Sequence, residues 1–475
     1  MRSAVALLFL GLACLVAARK HENALNHILR RQFGDSANAL DGSEQWFTQQ
    51  LDHYDPFNAK TWQQLYFVNA DNYRPGGPVF MHIGGEGPIS SHYVYNMSFI
   101  PLAQKYGALV LALEHRYYGR SHPTPDMSTE NMKWLSSQQA LADLANFQMA
   151  MSKQFKLPAG TRWVTVGGSY PGCLSAFARI KYPHLFYAST SVSAPVRAKL
   201  DFLEYNEVVA ASLGDQCTAA VRNATAQIDA MLNNADGRAW LYKTIPTCTL
   251  PISYEDTQVF FDSLSGLING VVQYNGEQSG VSTITTICQT MLQPNSDPLT
   301  QLLAVLRQLM KEEGASCMDA NLNTMLAQLS SSDWAVGGDM RAWTAQTCNE
   351  FGFYQTTTSA KTPYATGRLT LDYSLLQCQQ GFGKMYANPP PVDWTNQYYG
   401  SDHPDEARIV FSNGSIDPWH ALGVTSDLSQ EMPAVYIKGT AHCADMSQPH
   451  PTDSAELVAG RQKVLDTLDA WLSHK

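Results

Sequence analysis

The chain has 475 residues, a formal net charge of −10 at pH 7, 44% hydrophobic and 16% charged residues. That length can bury a large core and by itself suggests two or three domains. The acidic balance, without any lysine or arginine cluster, excludes the electrostatic footprint of a nucleic-acid binder.

Residues 1 to 18 read as a secretory signal peptide, with Arg2 as the positive start, an apolar run from 4 to 15 and Val16-Ala17-Ala18 as a small-residue cleavage site. Lipoprotein cleavage at Cys14 is the weaker alternative, because apolar residues continue past it. The apolar run is shorter than the roughly 20 residues of a membrane span, and no later segment is a better candidate. The mature chain is therefore expected to be soluble, with no membrane span, in the secretory pathway and either extracellular or lysosomal. Removing the signal leaves an even set of cysteines, Cys173, Cys217, Cys248, Cys288, Cys317, Cys348, Cys378 and Cys443, consistent with disulfides in an oxidising compartment. N-glycosylation sequons at Asn96, Asn223 and Asn413 fit the same route.

From 19 to 195 short β-rich runs alternate with helical ones, which predicts an α/β sheet. Strands are expected over 64–68, 78–83, 108–114, 163–166 and 187–192. A helix over 134–155, with Leu135, Leu141, Leu144, Phe147, Met149 and Met151 at helical spacing, would cover one sheet face. From 196 to 384 the alternation fades into helical segments such as 299–311 and 321–329, within a span that holds the cysteines from 217 to 378. This predicts an inserted, disulfide-stapled helical cap. Pro389-Pro390-Pro391 marks the return, and 385–475 completes the core with strands over 407–411 and 434–437. A final amphipathic helix follows, capped by Asp453 with Glu456 and carrying Leu457, Val464, Leu465, Leu468, Trp471 and Leu472 on one face.

Gly167-Gly168-Ser169-Tyr170-Pro171-Gly172 lies between the strand at 163–166 and a helical run at 173–182. That is the context of a nucleophile elbow, where small residues let a serine occupy a sharp strand-to-helix turn. Pro171 stands where the usual G-x-S-x-G pattern has its last glycine. The substitution is tolerable, since the oxyanion donor in such a turn is the N–H of the residue after the serine, Tyr170, and proline suits a first helical turn. A serine needs a histidine to take its proton and a carboxylate to orient that histidine, in the chain order Ser, Asp or Glu, His. Asp417 and His442 satisfy that order, each just beyond a predicted strand of the returning segment. His420 is a rival base, but it sits three residues from Asp417 on the same loop. A second oxyanion donor could come from Gly85 or Glu86 in His82-Ile83-Gly84-Gly85-Glu86-Gly87-Pro88, which follows a strand as HGGG-type loops do. The stretch Glu114-His115-Arg116-Tyr117-Tyr118-Gly119-Arg120-Ser121 either lines the site or satisfies buried carbonyls through Arg116.

These motifs, with Trp46-Phe47-Thr48-Gln49-Gln50-Leu51-Asp52-His53-Tyr54 and Lys181-Tyr182-Pro183-His184, resemble the serine peptidases that include lysosomal Pro-X carboxypeptidase, dipeptidyl peptidase II and thymus-specific serine protease. The resemblance covers almost the whole mature chain. It implies an α/β-hydrolase core with a helical cap after the nucleophile half, and hydrolysis on the carboxyl side of proline near a peptide terminus, with Ser169, Asp417 and His442 as the triad. It also implies the pairs Cys217 with Cys288, Cys248 with Cys317 and Cys348 with Cys378, whereas the sequence alone allows 105 connectivities for eight cysteines. Cys443 stands where Pro-X carboxypeptidase has a second histidine, so the local motif is nearer the thymus-specific type. Cys443 beside the base and Cys173 one turn after the nucleophile are expected to pair, with two unrelated buried thiols as the alternative. The reading is thus a serine exopeptidase that needs no cofactor or metal and acts on proline-containing peptides, with a homodimer as the candidate assembly. An esterase or lipase on the same fold, or a catalytically silent binding protein, are the alternatives.

Overall fold

Runs of β-branched and aliphatic residues form the centre of the chain's main sheet. The structure is a computed structural model and describes residues 44–473 apart from 278, 279, 365, 387 and 388. The expected signal peptide, with Arg2 and Cys14, lies outside the described residues.

The strands are β1 (Glu44–Gln50), β2 (Thr61–Asn69), β3 (Val79–Ile83), β4 (Leu109–Leu113), β5 (Trp163–Gly168), β6 (Ala188–Val192), β9 (Ile409–Gly414) and β10 (Ala434–Ile437), with β7 (Lys199–Asp201) and β8 (Gly352–Tyr354) forming a separate small ladder. The eight-stranded sheet runs β1-β2-β4-β3-β5-β6-β9-β10. β2 lies antiparallel to both β1 and β4, and every other pairing is parallel. This is an α/β-hydrolase core. Its central strands are buried on both faces, so β3 and β4 read as continuous apolar runs rather than alternating ones. Period-two geometry still sorts the side chains: Val79, Met81 and Ile83 face one apolar layer, and Phe80 faces the other with Val110, Val164 and Val410.

Helix α1 (Ser137–Gln154) and helix α2 (Tyr170–Lys181) pack on the first layer, and the C-terminal helix (Ala455–Ser473) on the second through Val464, Leu468, Trp471 and Leu472. In α1, Leu141, Leu144, Phe147 and Met151 are buried, but Met149 is 54% exposed. It stands two residues from both Phe147 and Met151, which turns it roughly 200° from each and off the buried face. The expected Asp453 cap is also corrected. The Leu457 N–H donates to Ser454 Oγ at 3.1 Å, while the Asp453 carboxylate pairs with Arg461 at 2.8 Å and accepts the His450 N–H.

Between β6 and β9 the chain builds the cap. Its main helices are α3 (Leu203–Leu213), α4 (Asp215–Leu232), α5 (Tyr254–Gln273), α6 (Pro298–Glu312) and α7 (Gly338–Gln346). Ser253 opens α5 with a reciprocal cap on Asp256, and Asp297 caps α6 with Pro298 as its first helical residue. Disulfides join Cys217 to Cys288, Cys248 to Cys317 and Cys348 to Cys378, the pairs the resemblance implied.

Cys173 and Cys443 do not pair; both are free thiols. Cys173 belongs to the packed core and lies near Glu86. Cys443 lies near Asp417, Glu277 and Asp445, with its Sγ 2.8 Å from where a Cβ on Gly168 would stand. Alkylation under denaturing, non-reducing conditions is therefore expected to label Cys173 and Cys443 and no other cysteine of the described residues; a peptide map linking these two would contradict the fold.

Candidate active site

Ser169 sits where β5 becomes α2, with φ 63° and ψ −134°. A non-glycine residue at such dihedrals costs on the order of 1–3 kcal/mol and persists only where its surroundings impose it. The surroundings are identifiable. The Ser169 N–H donates to Val192 O at 2.9 Å, and the Ser169 carbonyl accepts the Cys173 N–H at 3.1 Å. A Cβ on Gly167 would lie 2.1 Å from Pro171 O, and one on Gly172 would lie 2.7 Å from Val192 O. Close approach of α2 to β6 thus falls at Gly172 rather than at 171, which explains the displaced glycine and frees position 171 for proline.

Pro171 packs in turn on the loop after β3, where a Cβ on Gly85 would lie 2.2 Å from the proline Cγ. The Gly84 N–H of that loop is committed to Leu113 O at 2.9 Å, and the Glu86 N–H turns onto its own carboxylate. Gly85 is the remaining donor of the three. The Tyr170 side chain is buried, its hydroxyl held by His115 Nε2 at 3.0 Å and by Gln346 Nε2 of α7 at 2.7 Å. Gln346 Oε1 accepts from Tyr118. The residue after the serine is therefore clamped between core and cap.

Asp417 and His442 meet at the carboxyl ends of β9 and β10, with Asp417 Oδ2 2.9 Å from His442 Nδ1 and both side chains fully buried. The other Asp417 oxygen accepts the Trp419 N–H at 3.0 Å. The rival His420 directs Nδ1 to the Asp417 backbone carbonyl at 2.6 Å instead of to the carboxylate. The cap holds His442 directly: its N–H donates to Gln273 O at 2.9 Å, and the Tyr274 ring meets the imidazole edge-on at 5.9 Å.

A family model described as serine carboxypeptidase S28 matches residues 49–464. The chain belongs to this family. It is 36% identical over 444 residues to mouse thymus-specific serine protease, spanning 90% of this chain and 87% of the relative. A Caenorhabditis elegans serine-protease homologue is 39% identical over 445 residues, with the same shares covered. Human lysosomal Pro-X carboxypeptidase is 27% identical over 446 residues, covering 90% of this chain and 88% of that one. As an S28 member, the protein is a serine-type peptidase.

In this S28 peptidase a cavity of about 130 Å³ adjoins the elbow. Ser169, Tyr170 and the 84–87 loop form its floor, and Tyr274, Glu277 and Trp343 bound it on the cap side. Burial pushes the Glu86 carboxyl up to about 7, and pushes Glu277 well above the usual carboxylate range, with Asp417 and Asp445 adding to the effect. His82, also in the wall, is driven down to about 3 by burial and stacks on Tyr93 at 4.3 Å. The cap residues were missed in the sequence because no motif marks them; the one signal was the polar and aromatic Tyr274-Asn275-Gly276-Glu277 run at the end of a long helix.

The 114–121 stretch takes the structural role. Arg116 is fully buried, bonds both Asp143 oxygens at 2.6 Å and donates to Leu51 O and Trp134 O. Of the sequons, Asn223 is exposed and Asn96 half-buried. Asn413 is 2% exposed within β9 and donates to Val424 O, so this sequon is inaccessible to glycosylation in the fold. Gly167→Ala is expected to destabilise the protein by about 2 kcal/mol or more through overpacking. Gly270→Ala, inside α5 with nothing within 4 Å, should be neutral or stabilising. Urea unfolding of the two variants checks the contrast.

Proposed function

We propose that the protein is a proline-directed serine exopeptidase of the secretory pathway, extracellular or lysosomal, in which Ser169, His442 and Asp417 form the catalytic triad. The observation that carries the reading is the buried 2.9 Å contact between Asp417 and His442 at strand ends, in a chain whose Ser169 is held at positive φ where a strand turns into a helix. The Ser169 hydroxyl attacks the scissile carbonyl as His442 Nε2 accepts its proton, and Asp417 fixes the tautomer and stabilises the imidazolium. The N–H groups of Tyr170 and Gly85 hold the oxyanion. His442 returns the proton to the leaving amine, giving an acyl-enzyme, and then activates water to release the acid and restore Ser169. Relatives named for action at Pro-X bonds support the proline preference, and the small cavity under the cap supports a substrate that enters by its end.

A fluorophosphonate probe is expected to label the wild-type chain and not Ser169→Ala. Asp417→Asn should retain the fold and lose about 10³- to 10⁴-fold in kcat. An unlabelled wild type, or an Asp417→Asn variant with full activity, would sink the triad.

The titration of the interior suits an acidic compartment. Burial lifts Glu86, Glu114, Asp262 and Glu350 to about 7. Between the unfolded value, about 4 to 4.5, and 7, the folded chain keeps protons that the unfolded chain has released, so stability falls as pH rises through that window. His82, His92 and His115, driven down by burial to about 3, 4 and 4, act in the opposite sense, but only below their unfolded value of about 6.5. Thermal melts at pH 6 should therefore lie several degrees above those at pH 8. A flat or inverted dependence would contradict these assignments.

A further inference from the structure

An exopeptidase has to recognise one free end of its substrate, and the charges around the cavity discriminate between the two. Among the described residues that line it, the acidic side chains are Glu86 and Glu277, both pushed toward the neutral form by burial, and no lysine or arginine is present. The histidines in the wall, His82 and His92, are kept neutral by burial, with values of about 3 and 4. A substrate carboxylate entering here would meet only like charge or neutral groups.

The acceptors, by contrast, are already in place. Glu277 Oε1 is shut off from solvent and accepts no hydrogen bond. The charged groups that act on Glu277 are Asp417 and Asp445, both acidic, and those acting on Glu86 are His442 and Asp339. His82 Nδ1, on a side chain only 4% exposed, is likewise buried without a partner. An ammonium group offers three donors and a positive charge, which is what an unpaired carboxyl and a neutral imidazole lack. The net charge of −10 also favours approach of a cationic chain end.

We propose that Glu277 is a specificity residue that binds the free α-ammonium group of the substrate, with Glu86 and His82 completing the acceptor wall, so that the enzyme reads the amino end of unblocked peptides. The inference rests on Ser169 being the nucleophile of a proline-directed exopeptidase, as set out above. Glu277 comes from the cap and Ser169 from the core, so closing the cap over the core sets the distance from the amine to the scissile bond.

The test compares kcat/KM of the full mature chain on Gly-Pro aryl amide with a free amine, its N-acetyl form, the matching Gly-Ala aryl amide, and a proline-containing peptide with a free or amidated carboxyl end. Acetylating the amine should lower kcat/KM by about 100-fold, the scale of one lost charge-assisted contact of up to about 3 kcal/mol. Amidating the carboxyl end should change it by less than about threefold. Glu277→Gln should reduce the free-amine preference about tenfold, chiefly through KM, with fluorophosphonate labelling of Ser169 reporting an intact site. A requirement for the free carboxylate with tolerance of acetylation overturns the proposal, as does a labelled Glu277→Gln enzyme that keeps the full preference. If Gly-Ala and Gly-Pro are cleaved equally while the amine is still required, the proline preference fails and the role of Glu277 stands. If a labelled wild-type chain cleaves none of the free-amine substrates, both readings fall.

Discussion

The strained serine turn organises this protein. Ser169 cannot hold a positive φ by preference, so β5, β6 and α2 must press together closely enough to leave it no other conformation. Gly167 and Gly172 make that approach possible at Pro171 O and Val192 O, where any side chain would collide with backbone. Pro171 then transmits the same contact to the loop after β3, so the position of Gly85 follows from the packing of the elbow. Ser169 and the loop after β3 are thus set by one steric arrangement rather than by two independent ones.

The cap continues this dependence. Tyr170 is tied to α7 through Gln346, and the backbone of His442 is tied to the end of α5 through Gln273. A cap that shifted would move a group on each side of the cavity. Arg116 and Asp143 brace the core beneath, with His53 Nε2 2.7 Å from the same carboxylate. Removing either partner of such a buried pair leaves a charge that is costly to keep uncompensated, even though the pair as a whole adds little net stability.

How much of this could be read from the chain depended on whether a property was local. β10 coincides with its predicted span, and β3 and β5 nearly so, because buried parallel strands are short apolar runs bounded by turns. β1 was missed as a strand, since its Glu44–Gln50 segment is largely polar and pairs only at the sheet edge. The elbow was legible from spacing, and so was the order of Ser169, Asp417 and His442. Properties set by tertiary packing were not legible. Asn413 carries a sequon but lies inside β9, Cys173 and Cys443 flank the site residues in the sequence but stay free thiols, and Glu277 belongs to no motif at all.

The same distinction separates chemistry from specificity. A triad has to obey covalent and hydrogen-bonding geometry, so it leaves a fixed order and fixed turn residues in the chain. Recognition of a substrate end needs only charge and shape at a given distance, which any segment of the cap can supply. Glu350 illustrates how the two are joined. It reaches from the cap to the first turn of α1, where its carboxyl accepts the Ser137 N–H at 2.9 Å, and Ser137 Oγ lies 2.6 Å from the Tyr399 hydroxyl. The helix terminus favours an anion there, yet burial lifts the carboxyl to about 7, so desolvation outweighs the dipole. Below that value the junction between cap and core holds a neutral acid rather than a buried charge, and the cap seats on the core without the cost of keeping a charge desolvated.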